Sequence, residues 1–264
     1  LKELEQAYHV FLTGTGFGGI ALALMSLCRP GDEILVSDNV YGPTKEISQK
    51  LMREFEIYAH FYNPDSFEDL KSKITKKTKL ILVENPGSNT FEFQDLSKIV
   101  SLARKKKILT LLDNTWGTPL YLKPLKLGFD MSFCSATKYF SGHSDAMGGS
   151  LAVNKKVFKK IMFFYKLSGY RMSADEAYLI IRGLRTLDTR LKKHYENTKI
   201  IINFLRKQKK IKDILYPHKP NTKNYKLWKK YYSGATGLLS IVIKSKKKSS
   251  VVKFVNSLEL FGIG

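Results

Sequence analysis

Four side chains stand where chemistry can be done. Ser135, Thr137 and Lys138 close the apolar run Met131-Ser132-Phe133-Cys134, and Asp113 closes an earlier run, Ile108 to Leu112. Both runs read as buried strands. Ligands of open α/β sheets sit beyond the carboxyl ends of their strands. An aspartate, two hydroxyls and a lysine converging there suit a phosphorylated aldehyde cofactor with a protonated ring nitrogen. Pyridoxal phosphate has that description, and proteins supply it with a Schiff-base lysine and an acidic partner for the pyridinium.

A rival reading comes from Gly14-Thr15-Gly16-Phe17-Gly18-Gly19, which matches G-x-G-x-x-G. It follows a short apolar run, opens a longer one, and has Asp38 after the next strand, the context a dinucleotide site asks for. The same glycines also read as a general phosphate cradle, with backbone N–H groups at a helix N-terminus. The motif alone does not choose. The far end of the sheet does, because a nicotinamide site needs no lysine at a strand end opposite an aspartate. Taken singly, Lys138 would pass as a surface charge and Asp113 as a turn residue. Together, and outside any basic run, they read as catalytic, since a neutral lysine amine is the nucleophile of imine chemistry. Tyr41, in a loop beyond a strand end, reads equally as a packed ring or as a stacking partner. His143-Ser144-Asp145 has triad composition, but triads are assembled from distant segments. The five histidines show no metal-ligand spacing such as HExxH.

The elements that must hold these residues alternate between strand and helix. His9 to Leu12 reads as a strand and Ile20 to Cys28 as a buried helix closed by Arg29-Pro30-Gly31. Ile34 to Ser37 is the next strand, running into the loop Asp38 to Pro43. Ile47, Leu51 and Phe55 have helical spacing, and Ser66 with Asp69 resembles a capping box for a helix to about residue 75. Lys79 to Val83 is a strand ending at Glu84. Asp95 is placed to cap a helix with Leu96, Ile99, Val100 and Ala103 on one face. Strands 108–112, 131–134 and 149–153 follow, then a helical stretch from Ser173 to about Lys210. After Pro217 come a polar stretch, a strand at Gly237 to Ile243 and a helix at Ser249 to Leu258. This order predicts an α/β fold with a mostly parallel sheet covered on both faces. The last part reads as the opening of a second, α+β domain.

Of 264 residues, 43% are apolar, enough for one large or two smaller cores. Basic residues number 45 against 23 acidic, a net charge of +22. The basic runs are scattered along helix flanks without interleaved aromatics, so they read as solvated faces rather than a nucleic-acid surface. No apolar run approaches the roughly 18 residues of a membrane span, and no signal-peptide pattern opens the chain. Cys28 and Cys134, far apart and in apolar stretches, read as buried thiols of a reducing, cytoplasmic setting. Leu1 at the start marks the sequence as a piece of a longer protein.

Asp113-Asn114-Thr115-Trp116, Ser135-Ala136-Thr137-Lys138-Tyr139 and Gly142-His143-Ser144-Asp145 together resemble the Cys/Met-metabolism family of pyridoxal-phosphate enzymes. Within it, Glu84-Asn85-Pro86-Gly87-Ser88, the run Gly142 to Met147 and Arg182-Gly183-Leu184-Arg185-Thr186-Leu187 look most like the cystathionine β-lyase branch. The resemblance runs the whole length. It implies the fold type I, aspartate-aminotransferase-like architecture, with a cofactor-binding large domain over 1–184 and a partial small domain over 185–264. It implies Lys138 as the Schiff-base lysine, Asp113 as partner of the pyridine nitrogen and Tyr41 as the ring-stacking tyrosine. Gly16 and Phe17 would give N–H groups, and Ser135 and Thr137 hydroxyls, to the phosphate. Many relatives carry an Asn where Ser88 stands here, as it does in the β-lyase branch. Relatives begin earlier, with an arm whose Tyr and Arg reach a neighbouring subunit's phosphate. They end later, with a Trp and an Arg for the substrate carboxylate, and neither segment is in this sequence. The implied reaction is cleavage of L-cystathionine to homocysteine, pyruvate and ammonia, in a homotetramer of dimers. A γ-lyase, a γ-synthase, alanine racemisation or an inactive fragment are the alternatives.

Overall fold

Seven strands form one sheet in the computed structural model, which describes residues 1–260. They are β1 (His9–Thr13), β2 (Glu33–Ser37), β3 (Tyr58–Tyr62), β4 (Thr78–Glu84), β5 (Leu109–Asp113), β6 (Met131–Ser135) and β7 (Gly149–Val153). Their spatial order is β1-β7-β6-β5-β4-β2-β3. Every pairing is parallel except the two that β7 makes, so β7 alone runs against the other strands. The mostly parallel α/β sheet expected from the sequence is therefore present. Six strands bring their carboxyl ends to the same edge, where β7 begins.

The central strands are apolar on both sides because helices cover both sides. Successive side chains alternate between faces. Ile34, Val36, Leu80, Leu82, Leu111, Met131 and Phe133 pack on one face against the helix Gly16–Leu27 and the helix Lys155–Ser168. Leu35, Ile81, Val83 and Leu112 pack on the other, against Leu96, Ile99, Val100 and Ala103 of the helix Leu96–Lys106. That helix starts where expected, with Asp95 accepting the N–H of Lys98. Ser66 likewise accepts from Asp69, although its helix stops at Ser72.

The remaining chain folds onto the second face. A helix Ala174–Leu184 and, after Arg185-Thr186, a helix Leu187–Leu205 lead into β8 (Ile211–Leu215), a helix Lys223–Tyr231 and β9 (Ser240–Ile243). β8 and β9 pair antiparallel in a small separate sheet. Trp116 ties this part to the large sheet, edge-on to Phe91, Phe93, Tyr216 and Tyr232. Its indole N–H donates to the Leu238 carbonyl at 3.1 Å. Residues 261–264, the end of the second domain expected from the sequence, lie outside the described residues. Among the described residues no helix is long and apolar enough to cross a membrane.

Candidate active site

The period-two alternation decides which strand-end side chains meet. Glu84 follows Leu80 and Leu82, Asp113 follows Leu111, and Ser135 follows Met131 and Phe133, so all three share the face that carries the helix Gly16–Leu27. Glu84 and Asp113 are direct neighbours across the β4–β5 pairing, and Ser135 is level with the first residue of β7. The glycine helix begins at the same edge. A Cβ on Gly16 would sit 2.8 Å from the Ser135 hydroxyl, closer than a side chain tolerates. Only glycine lets the helix N-terminus approach that strand end.

Thr15 caps the helix by accepting the Gly18 N–H at 2.9 Å. The Gly16 and Phe17 N–H groups, also in the first turn, have no partner within the helix. A helix N-terminus with a serine hydroxyl against it is a ready anion site. Asp38, which the dinucleotide reading needs for a ribose, is instead exposed and paired with Lys45 at 2.7 Å.

Lys138 stands on a wide, irregular turn, Ala136–Phe140, that leaves the end of β6, and its own backbone is not helical. The ammonium lies 5.1 Å from the centre of the Tyr41 ring. Asp113 is buried and accepts the Thr115 N–H at 2.9 Å. Burial pushes its carboxyl above the ordinary aspartate range, while Thr115 and the charge of Lys138 pull it back. Asp113 and Lys138 thus share one electrostatic environment, as a pair flanking a common ring must. Lys138 itself is exposed. The turn carries it past the strand end, onto the wall of an open cavity of about 740 Å³ that Tyr139, Met147, Glu176, Arg190 and His194 also line.

The hydroxyls differ in availability. Ser135 donates its backbone N–H to the Thr115 hydroxyl, and its own Oγ faces Gly16. Thr137 is already engaged with Gly148, accepting its N–H at 3.0 Å and donating to its carbonyl at 3.3 Å. Tyr41 and Phe17 are both exposed. His143, Ser144 and Asp145 form no triad. His143 Nδ1 lies 2.7 Å from the Ser141 carbonyl, and Asp145 pairs with Arg182. Sequence reasoning overlooked Thr115, which serves Asp113 and Ser135 at once, and Glu84, whose carboxylate accepts the Tyr41 backbone N–H at 2.7 Å. The Asp-Asn-Thr run offered Thr115 a signal. Glu84 is marked as a strand end, but its contact is hidden because its partner lies 43 residues away.

The donor set fits pyridoxal phosphate. There is an amine just past a strand end, a buried acid at the end of the neighbouring strand, an aromatic ring near the amine, and an anion cradle at the same edge.

Comparison with known proteins agrees. The description "Cys/Met metabolism PLP-dependent enzyme" matches residues 1–264. The chain is 34% identical to a cystathionine β-lyase of Bordetella avium, over 99% of this chain and 66% of that protein. It is also 34% identical to an L-alanine/L-glutamate racemase of Wolbachia pipientis wMel, over 100% of this chain and 65% of that protein. Among solved structures, a cystathionine γ-synthase from Xanthomonas oryzae pv. oryzae superposes with a TM-score of 0.94 at 29% identity, covering 100% of this chain and 68% of the other. The chain thus spans about two thirds of the length of these relatives.

Proposed function

Because the chain belongs to the Cys/Met-metabolism family of pyridoxal-phosphate-dependent enzymes, we propose that it is the core of a carbon–sulfur β-lyase acting on L-cystathionine. The observation that carries this reading is Lys138 facing the Tyr41 ring while Asp113 lies buried in the same field. The β-lyase named among its relatives gives the bond that breaks.

Pyridoxal phosphate, when bound, supplies the electron sink that makes a Cα proton of an amino acid removable. The chain's residues do the rest. Asp113 would face the protonated ring nitrogen and keep it cationic. Tyr41 would cover the ring and exclude water from it. Gly16 and Phe17 would give N–H groups to the phosphate, and Ser135 its hydroxyl. Thr137 would join them on releasing the Gly148 carbonyl. Lys138 Nζ would take the Cα proton and return one to the departing sulfur. The balanced reaction consumes L-cystathionine and water and yields homocysteine, pyruvate and ammonia. The substrate is thus a small thioether amino acid, and the working form a homo-oligomer. We place the boundary between large and small units at 184/185, where Arg185 and Thr186 break two helices.

A second reading has support of its own, since the racemase is as similar as the β-lyase. There the proton would return to the opposite face of Cα, with no bond to sulfur. Incubating the cofactor-loaded protein with L-cystathionine, and separately with L-alanine, separates these readings. Homocysteine with pyruvate supports the β-lyase. Cysteine with 2-oxobutyrate means γ-cleavage, and conversion of L- to D-alanine without thiol release means racemisation; either result overturns the proposal.

A further inference from the structure

We propose that Glu84 is a positioning residue that latches the backbone of Tyr41, and so sets the ring over Lys138. This rests on the reading of Tyr41 as the residue that covers the cofactor ring. Tyr41 belongs to the loop between β2 and the short helix Gly42–Glu46. An exposed tyrosine on a loop does not hold an orientation by packing, so something must fix its backbone.

Three contacts from the 84–92 segment do this. The Glu84 carboxylate accepts the Tyr41 N–H at 2.7 Å. The Ser88 N–H donates to the Asn39 carbonyl at 2.7 Å. The Asn39 side-chain amide donates to Glu92 at 3.2 Å. Only the first acts on Tyr41 itself, and only it comes from the strand edge that also presents Asp113. Thr44 and Lys45 donate to the Tyr41 carbonyl, so Tyr41 is held from both sides of its peptide.

The latch is also electrically joined to the site. Burial and then the neighbouring Asp113 push the Glu84 carboxyl well above the ordinary glutamate range. The Tyr41 N–H, the Lys138 ammonium and the Ser88 hydroxyl favour its ionised form. The groups facing Glu84 are thus Asp113 from β5, Lys138 from the turn after β6, Tyr41 from the loop above and Ser88 from the loop beyond. A change of charge at Glu84 is felt by the acid and the amine that flank the ring, not by Tyr41 alone.

Two variants of equal reach test the latch. Glu84→Met removes the acceptor without leaving a hole. Glu84→Gln keeps an acceptor oxygen but carries no charge. In the cofactor-free chain, amide exchange at Tyr41 should quicken roughly 2- to 10-fold in Glu84→Met, the range expected for losing one hydrogen bond. Glu84→Gln should restore most of the protection. Pyridoxal-phosphate affinity should fall in Glu84→Met and recover in Glu84→Gln. The pH midpoint of the bound cofactor's absorbance should nonetheless move in Glu84→Gln, because a carboxyl no longer titrates beside Asp113 and Lys138. Unchanged Tyr41 exchange in Glu84→Met overturns the latch, as does equal loss in both variants. Neither result bears on the lyase reading, which the products of the unaltered protein decide.

Discussion

Gly183 lies on the helix Ala174–Leu184 and carries no reacting group, yet substituting it should damage the site. A Cβ at this position would stand 2.2 Å from the carbonyl oxygens of both Phe140 and Ser141. Ordinary contact begins at 3.4 Å, so the helix or the turn must retreat by about 1 Å. Both obstacles are backbone, and no side chain can swing aside. The turn in question carries Lys138, two residues before Phe140. In Gly183→Ala, overpacking of this kind costs roughly 1–3 kcal/mol, offset by up to about 1 kcal/mol from the better helix propensity of alanine. A misplacement of about 1 Å at a reacting group costs on the order of 100-fold in rate. Melting temperature, cofactor affinity and turnover should all fall. Gly42→Ala is the control, because nothing lies within 4 Å of the added carbon, and it should melt as the unaltered chain does. If Gly183→Ala kept both its melting temperature and its cofactor affinity, the close approach would not be what seats the lysine turn.

Glu5 is 1% exposed, and burial raises its carboxyl from 4.5 to about 7 against the pull of Ser132, Cys134 and Lys123. Between those two pH values the folded chain holds a proton that the unfolded chain releases, so stability falls as pH rises through the window. Above it the accumulated cost is on the order of 3 kcal/mol. Glu5→Gln should therefore match the unaltered chain near pH 4 and exceed it at pH 8 in equilibrium unfolding; parallel pH profiles would contradict this. Tyr232 donates its buried hydroxyl to the Asn85 carbonyl and accepts the Asn85 side-chain N–H at 2.9 Å. Tyr232→Phe leaves both Asn85 groups buried without that partner and should cost about 1–3 kcal/mol in urea unfolding. A loss under 0.5 kcal/mol, the scale of ordinary surface substitutions, would mean the pair is dispensable.

Much of this was legible in the sequence because the physics was local. Strands β2, β4, β5 and β6 are short apolar runs buried on both faces, and each ends at a polar residue that marks the sheet edge. Lys138 and Asp113 stood out for that reason. β3 was not legible. It is the edge strand of the sheet, with Tyr58 and His60 turned outward, so it lacks a continuous apolar run. The helix Lys155–Ser168 was hidden by its lysines, which read as a charge run although Val157 and Ile161 are buried beneath them. The stretch expected as one helix from Thr44 to Phe55 widens at Ile47–Leu51. β8 was lost in the basic segment 207–212, and the helix Lys223–Tyr231 in a stretch read as polar loop. At the site, Glu84 accepts the Tyr41 N–H and the Thr115 hydroxyl accepts the Ser135 N–H, each donor supplied by another segment. No spacing in one segment announces such contacts. Arg182-Gly183-Leu184 was visible as a motif, but its meaning is the backbone approach beneath the lysine turn, which only the fold reveals.

The proposed chemistry runs through a single amine. Borohydride reduction of the protein loaded with pyridoxal phosphate, followed by peptide mapping, should place the cofactor on Lys138 and nowhere else, and Lys138→Ala should lose both the label and the visible absorbance. A label on another lysine, or a Lys138→Ala protein that remained yellow through a lysine link, would contradict it.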